Sequence, residues 1–266
     1  MTSSHKNASW GELLSGRNGL RAIALSGGVA VHAINIYIVT TIMPSVVQDL
    51  GGIDYYAWNT TLFVAASILG SAFAASLIDF LGLRAAYLLA ILIFVLGSMV
   101  AAMSPNMGFL LGARTVQGVG GGMLLGLSYA SVRLVFAERL WPRAMALISS
   151  MWGIATLAGP AVGGVFAESG QWRLAFWSTV PVAVLIALLV TLQLTSRQEN
   201  RSNELSRPPL LKIILLTVSV LVLAFGSLGH SWLLVALAIV VVLTILYGIA
   251  RDEMQGHHAL FQQGTY

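Results

Sequence analysis

The chain has 266 residues, 57% of them hydrophobic and only 9% charged, with a mean hydropathy of +0.84. Soluble domains carry about 25% charged residues, so a chain this apolar cannot cover its surface for water, and a soluble globular class is excluded. The absence of cysteine excludes disulfides, thiolate metal sites and cysteine nucleophiles. The net charge of +4 is what basic cytoplasmic loops produce, and it calls for no nucleic-acid partner.

A helix needs roughly 20 apolar residues to cross the hydrocarbon core. The segment 1–21 is polar, with Lys6, Arg17 and Arg21, and the apolar run after it is too long for a signal peptide. Spans are expected at 22–46, 58–80, 84–103, 107–135, 144–167, 173–194, 211–229 and 231–250. Helix is the expected state because open strands leave their backbone unpaired in lipid. The fold class is therefore an all-α membrane protein of about eight helices: a six-helix bundle over 22–194, a polar cytoplasmic linker over 195–210, a two-helix hairpin over 211–250 and, over 251–266, either a cytoplasmic tail or the start of a further half. With the N-terminus inside, 12 of the 14 basic residues fall in inner segments, Arg173 lies outside and Arg114 within a span, which fits the positive-inside rule. Trp141, Trp172, Trp177 and the Tyr55, Tyr56, Trp58 cluster are expected as interfacial anchors.

Four patterns carry chemistry. Between spans 2 and 3, Asp79, Gly82 and Arg84 place a carboxylate, a glycine turn and an arginine at the inner face. They form either a charge pair that locks one conformation or an ordinary tight turn with snorkelling charges. Span 4 opens with Arg114, Gln117, Gly118, Gly120, Gly121, Gly122 and Gly126. An arginine inside a span costs about 2.5–3.5 kcal/mol on insertion scales, so Arg114 either faces a polar cavity or snorkels outward. Gly118, Gly122 and Gly126 share one face and allow close helix approach. Span 5 carries Gly153, Gly159, Pro160, Gly163 and Gly164, a small-residue contact with a bend, with or without a gating role. Trp172, Arg173, Phe176 and Pro181 begin span 6 as an anchor.

Taken in this order, the patterns resemble the major facilitator superfamily. Asp79-x-x-Gly82-x-Arg84 is similar to its loop 2–3 signature and Arg114-x-x-Gln117-Gly118-x-Gly120 to its helix 4 signature. Gly159-Pro160-x-x-Gly163-Gly164 resembles its antiporter helix 5 signature, and Ile42-Met43-Pro44 the end of its drug-exporter helix 1. The two spans after the bundle resemble the fourteen-helix drug:proton antiporter branch. Two departures stand out: Asn35 occupies the place of a usual aspartate, and Ala75 that of a usual glycine.

The resemblance implies a proton-coupled exporter of small hydrophobic or amphipathic compounds in the plasma membrane (the bacterial inner membrane), seen here by its N-terminal part. The partners it implies are a small-molecule substrate, the proton, the bilayer and a missing C-terminal half; no cofactor or metal is expected. Arg114, Gln117, Asn35 and His32 become candidates for the substrate or proton pathway, and Asp79, Gly82, Arg84, Arg133 and Arg143 for a cytoplasmic conformational gate. His32 either titrates or hydrogen-bonds a neighbouring helix. The alternative is a non-transporting module that needs a partner half. A membrane enzyme fits worst: no span holds a His-x-x-x-His pair or an acid cluster, and His257 and His258 have no carboxylate companion.

Overall fold

The computed structural model describes residues 9–194 and, beyond them, positions 215, 218, 236, 239, 240, 242–244, 247, 248 and 251. The chain divides into two units, Met1–Leu205 and Ser206–Tyr266. The expected linker, hairpin and tail lie outside the described residues apart from those isolated positions.

In the first unit the order is α1 (Trp10–Leu14), α2 (Gly16–Leu50), α3 (Tyr56–Ala72), α4 (Ala74–Leu81), α5 (Leu83–Ala102), α6 (Met107–Ala130), α7 (Val132–Val135), α8 (Trp141–Glu168) and α9 (Trp172–Gln193). No strand occurs among the described residues. Four helices (α2, α5, α9 and α8 with its preceding turn) are long and apolar enough to cross a membrane, and α3 with α4 makes a fifth, bent by 45° at Phe73. The 24-residue α6 has the length to cross but carries Arg114, Gln117 and a run of glycines. The expected spans over 22–194 each coincide with a helix, with breaks at Phe73 and Ser131 that periodicity did not announce.

Local chemistry sets the helix ends. Ser9 caps α1 by accepting from the Glu12 amide at 3.1 Å, and Asn106 caps α6 by accepting from the Phe109 amide at 2.9 Å. Gly82 joins α4 to α5 at φ +79°, a conformation that a Cβ would strain. The expected glycine turn is therefore present. At 35 residues, α2 is about 50 Å long, so it projects beyond a ~30 Å hydrocarbon core. Its polar ends hold Arg17 and Arg21 on one side and Asp49 on the other.

Glycines on three sides of α6 determine how closely the bundle packs. Gly118, Gly122 and Gly126 lie against α3 and the start of α4, where an added Cβ would run into Phe63, Ser67 and Ser71. Gly120 abuts Ala90 and Phe94 of α5, and Gly121 abuts His32 of α2. With no side chain in the way, backbones approach to near contact. The shared face expected for Gly118, Gly122 and Gly126 is the α3 interface.

Two apolar clusters result. One gathers Leu25, Tyr87, Phe94, Leu124, Ile148 and Ala183 with Leu13 of α1; the other gathers Ile38, Ile42, Met43, Leu110, Trp172 and Phe176.

Candidate functional site

Polar residues occupy the level between these two clusters. On α2, Asn35 falls between Val31 of one cluster and Ile38 of the other; on α5, Ser98 falls between Phe94 and Ala101. On α6, Arg114 and Gln117 fall between Ala113 and Leu124, and on α9 Thr179 falls between Phe176 and Ala183. All five are buried.

They form one connected network. Arg114 Nη1 donates to Asn35 Oδ1 at 2.7 Å and also to Gln117 Oε1. Gln117 Nε2 donates to Ser98 Oγ at 2.5 Å, and Ser98 in turn donates to Phe94 O at 3.0 Å. The Thr179 hydroxyl lies 3.2 Å from Ser98 Oγ and 2.7 Å from Phe176 O. From α3, the Phe63 ring lies beneath the guanidinium, 3.9 Å from Cζ to the ring centre. His32 stacks on Phe63 with ring centres 5.3 Å apart, and Trp152 of α8 meets His32 edge-on at 6.0 Å. Six helices thus contribute to one cluster, of which Asn35, Phe63 and Gln117 touch Arg114 directly.

Of the two expectations for Arg114, outward snorkelling fails, because only 1% of its surface is exposed. The network is also incomplete: Arg114 Nε, Asn35 Nδ2, His32 Nδ1 and both polar atoms of the Asn59 side chain are buried without a hydrogen-bond partner. His32 therefore uses its faces here and leaves Nδ1 unbonded.

The residues expected as a gate are not brought together. The ion pairs among the described residues are Arg139 with Glu12 and Arg173 with Asp49. Asp79 is exposed and Arg84 half-buried, with no ion pair between them. Arg133 lies over the Trp141 ring at 5.4 Å, and Arg143 Nε is buried without a partner.

The helix 5 pattern divides by face. Gly159 packs on Ile34 and Tyr37, and Gly163 on Ile38 and Thr41, so both serve the α2–α8 contact. Gly153 and Gly164 have open space where a Cβ would stand, and Pro160 is exposed. The same open face carries Ile154, Leu157 and Val165.

The anchor reading of Trp172 is corrected by the structure, which leaves it 1% exposed. Its Nε1 donates to Asp49 Oδ2 at 3.1 Å, Arg173 Nη1 donates to the same oxygen at 2.6 Å, and Arg173 Nη2 donates to Ser104 O at 3.2 Å. This clamp joins the end of α2, the α5–α6 loop and the start of α9. Sequence reasoning missed Asp49, Ser98, Phe63 and Thr179. The polar residues among them carried one available signal, since an isolated Ser or Thr in a strongly apolar helix needs a partner in lipid.

A bundle of membrane-length helices around a buried, hydrogen-bonded cation defines a multi-pass membrane protein. The pattern of the Major Facilitator Superfamily matches residues 25–260, and the chain belongs to that family. It is 42% identical over 189 residues to a probable multidrug-efflux transporter of Mycobacterium tuberculosis, covering 71% of this chain and 40% of that one. A multidrug transporter protein of Bacillus subtilis is 28% identical over 221 residues, covering 82% of this chain and 41% of that one. Among solved structures, the Escherichia coli xylose transporter in its inward-open conformation superposes with a TM-score of 0.58 at 14% identity, covering 92% of this chain and 57% of that one. That likeness shows the fold alone. The chain spans about 40% of the length of these curated relatives.

Proposed function

We propose that this chain forms the first part of a proton-coupled exporter of small hydrophobic or amphipathic compounds, set in the plasma membrane with its N-terminus in the cytoplasm. The observation that carries the reading is the buried polar layer around Arg114, in a chain whose relatives are named multidrug-efflux proteins. A charge at that depth is expensive and marks a pathway more often than a packing role. Substrate sites in such transporters lie at the midplane between two bundles that rock against each other, and the remaining length of the relatives supplies the second wall.

In this reading Arg114, Gln117, Asn35 and His32 line or tune the pathway. Asp79, Gly82, Arg84, Arg133 and Arg143 act at the inner face, meeting in a conformation other than the one described above. Gly159 and Gly163 hold α8 on α2 while Gly153, Pro160 and Gly164 face the moving partner. Asn35 cannot titrate, so proton coupling falls to other groups. The coverage of the relatives also favours a second reading, in which the chain transports only when joined by a partner half.

The test is dye efflux from everted vesicles driven by a pH gradient, with Arg114→Ala beside the unaltered protein. Gradient-dependent efflux that the substitution abolishes is expected. Efflux indifferent to both the gradient and the substitution refutes the coupling. Efflux restored only by co-expressing the second half of a relative selects the second reading.

A further inference from the structure

The first helix is pinned to the bundle on one side and bare on another. Ser15 is extended (φ −100°, ψ 152°) and Gly16 adopts φ +53°, so the chain doubles back between α1 and α2. Gly19 makes room for this reversal, because a Cβ there would run into the Leu14 carbonyl. Leu13 is fully buried in the apolar cluster that holds Phe136 and Leu140, and Glu12 forms an ion pair with Arg139. A five-residue helix is too short to hold by itself in water, so these contacts fix it in place.

On a neighbouring face Trp10 and Leu14, one turn apart, are each about half exposed, and the head of α2 adds exposed Leu20 and Ile23. The 35-residue α2 outruns the hydrocarbon core, which puts its first turns and α1 at headgroup depth. Exposed apolar residues on a membrane-crossing helix are covered by lipid, and an amphipathic indole favours that level. A soluble partner would have to displace the bilayer from α2 to reach them.

The charges choose the kind of lipid. From Met1 to Ile23 the sequence holds one acid, Glu12, against Lys6, Arg17 and Arg21. Glu12 is committed to Arg139. Arg17 is exposed and Arg21 half-buried, one turn apart on α2, and neither is in an ion pair. Guanidinium groups pair well with phosphate oxygens, and here no protein carboxylate competes for them.

Resting on the cytoplasmic placement of the N-terminus proposed above, we infer that α1 and the head of α2 form a docking surface for anionic phospholipids of the inner leaflet. Trp10 and Leu14 enter the interface, and Arg17 and Arg21 hold the headgroup phosphates. Because Glu12 ties α1 to Arg139, the docked lipid is coupled to the turn that precedes α8.

The experiment uses the whole chain, whose lack of cysteine allows a single fluorescent label at Leu14→Cys, with Leu20→Cys as a second site. The labelled protein is placed in phosphatidylcholine vesicles carrying the same small fraction of spin-labelled phosphatidylglycerol or spin-labelled phosphatidylcholine. Quenching by each lipid gives its relative association with the surface. Phosphatidylglycerol is expected to be favoured at least about fivefold, less so in high salt, and Arg17→Gln with Arg21→Gln should bring the two lipids to parity. Size-exclusion profiles show that the variants stay folded. Equal quenching by both lipids in the unaltered chain overturns the anionic preference. Quenching by neither, with the label open to iodide, overturns the lipid surface altogether. A preference that survives the double substitution overturns the assignment to Arg17 and Arg21. Dissolved inorganic phosphate that abolishes the preference at matched ionic strength overturns the headgroup as the source of the anion. Orientation is read separately in cells: an impermeant maleimide should reach Ser15→Cys only after the cells are opened, and reaction in intact cells overturns the cytoplasmic placement whatever the vesicles show.

Discussion

Alanine at Gly122 and alanine at Gly112 should move stability in opposite directions although both lie on α6. Taken alone, Gly→Ala in a helix interior gains about 0.8–1.0 kcal/mol. At Gly112 nothing lies within 4 Å of the added Cβ, so that gain stands unopposed. At Gly122 the three nearest atoms are the Ser67 carbonyl oxygen, carbonyl carbon and Cα, all backbone and all far inside contact distance. No side-chain rotation relieves this, so α3 and α6 must separate by roughly an ångström. A gap of that size forfeits about a quarter to a half of each dispersion contact along the seam, and overpacking typically costs about 1–3 kcal/mol. The balance at Gly122 is therefore a net loss of up to about 2 kcal/mol, against a gain of just under 1 kcal/mol at Gly112. The assay is unfolding of the purified chain in one detergent, followed by tryptophan fluorescence, with both variants in the same series. If Gly122→Ala proved as stable as Gly112→Ala, the close approach of α3 and α6 would be refuted.

Ser98→Ala leaves the Gln117 amide without its buried acceptor and removes a neighbour of Thr179; a loss of about 1–3 kcal/mol is expected in the same unfolding assay. Leu13, fully buried although it stands on a five-residue helix, should cost about 2–5 kcal/mol on replacement by alanine if the site cannot collapse; limited proteolysis should show the N-terminal segment cut sooner. The Asp49–Arg173 pair is about half exposed, so a double-mutant cycle with Asp49→Asn and Arg173→Gln should give a coupling of no more than about 1 kcal/mol that shrinks in salt. Gly164→Ala should be tolerated where Gly163→Ala is not, since only the latter meets Ile38 and Thr41; relative stability in detergent distinguishes them.

What could be read from the sequence was what depends on one helix at a time. The length of each apolar run placed a helix over every expected span up to residue 194, and the four-residue spacing of Gly118, Gly122 and Gly126 predicted a shared contact face before its partner was known. What could not be read depends on how two helices are rotated about their own axes. Ser98 and Thr179 are ordinary members of apolar strings until α5 and α9 turn them toward Gln117. Trp172 reads as an interfacial ring, yet the carboxylate that draws it inward lies 123 residues earlier, in a stretch that looks like any polar helix end. Asp79 and Arg84 illustrate the reverse: five residues apart in sequence, they straddle the positive-φ turn at Gly82 and form no ion pair.

The glycines and the polar layer depend on one another. Arg114 reaches Asn35 on α2 and lies over Phe63 on α3 because α6 presents hydrogen atoms where other helices present side chains. Wider spacing would let lipid tails or water into the level between the two apolar clusters, and the guanidinium would be solvated or lost to the interface. Close spacing also lowers the local dielectric, which strengthens each hydrogen bond in the layer and raises the cost of each unmatched donor. A single carboxamide in place of a carboxylate at Asn35 therefore has a large consequence: it leaves a positive charge in the interior of the bundle, enclosed by glycine packing, that no acid buried among the described residues neutralises.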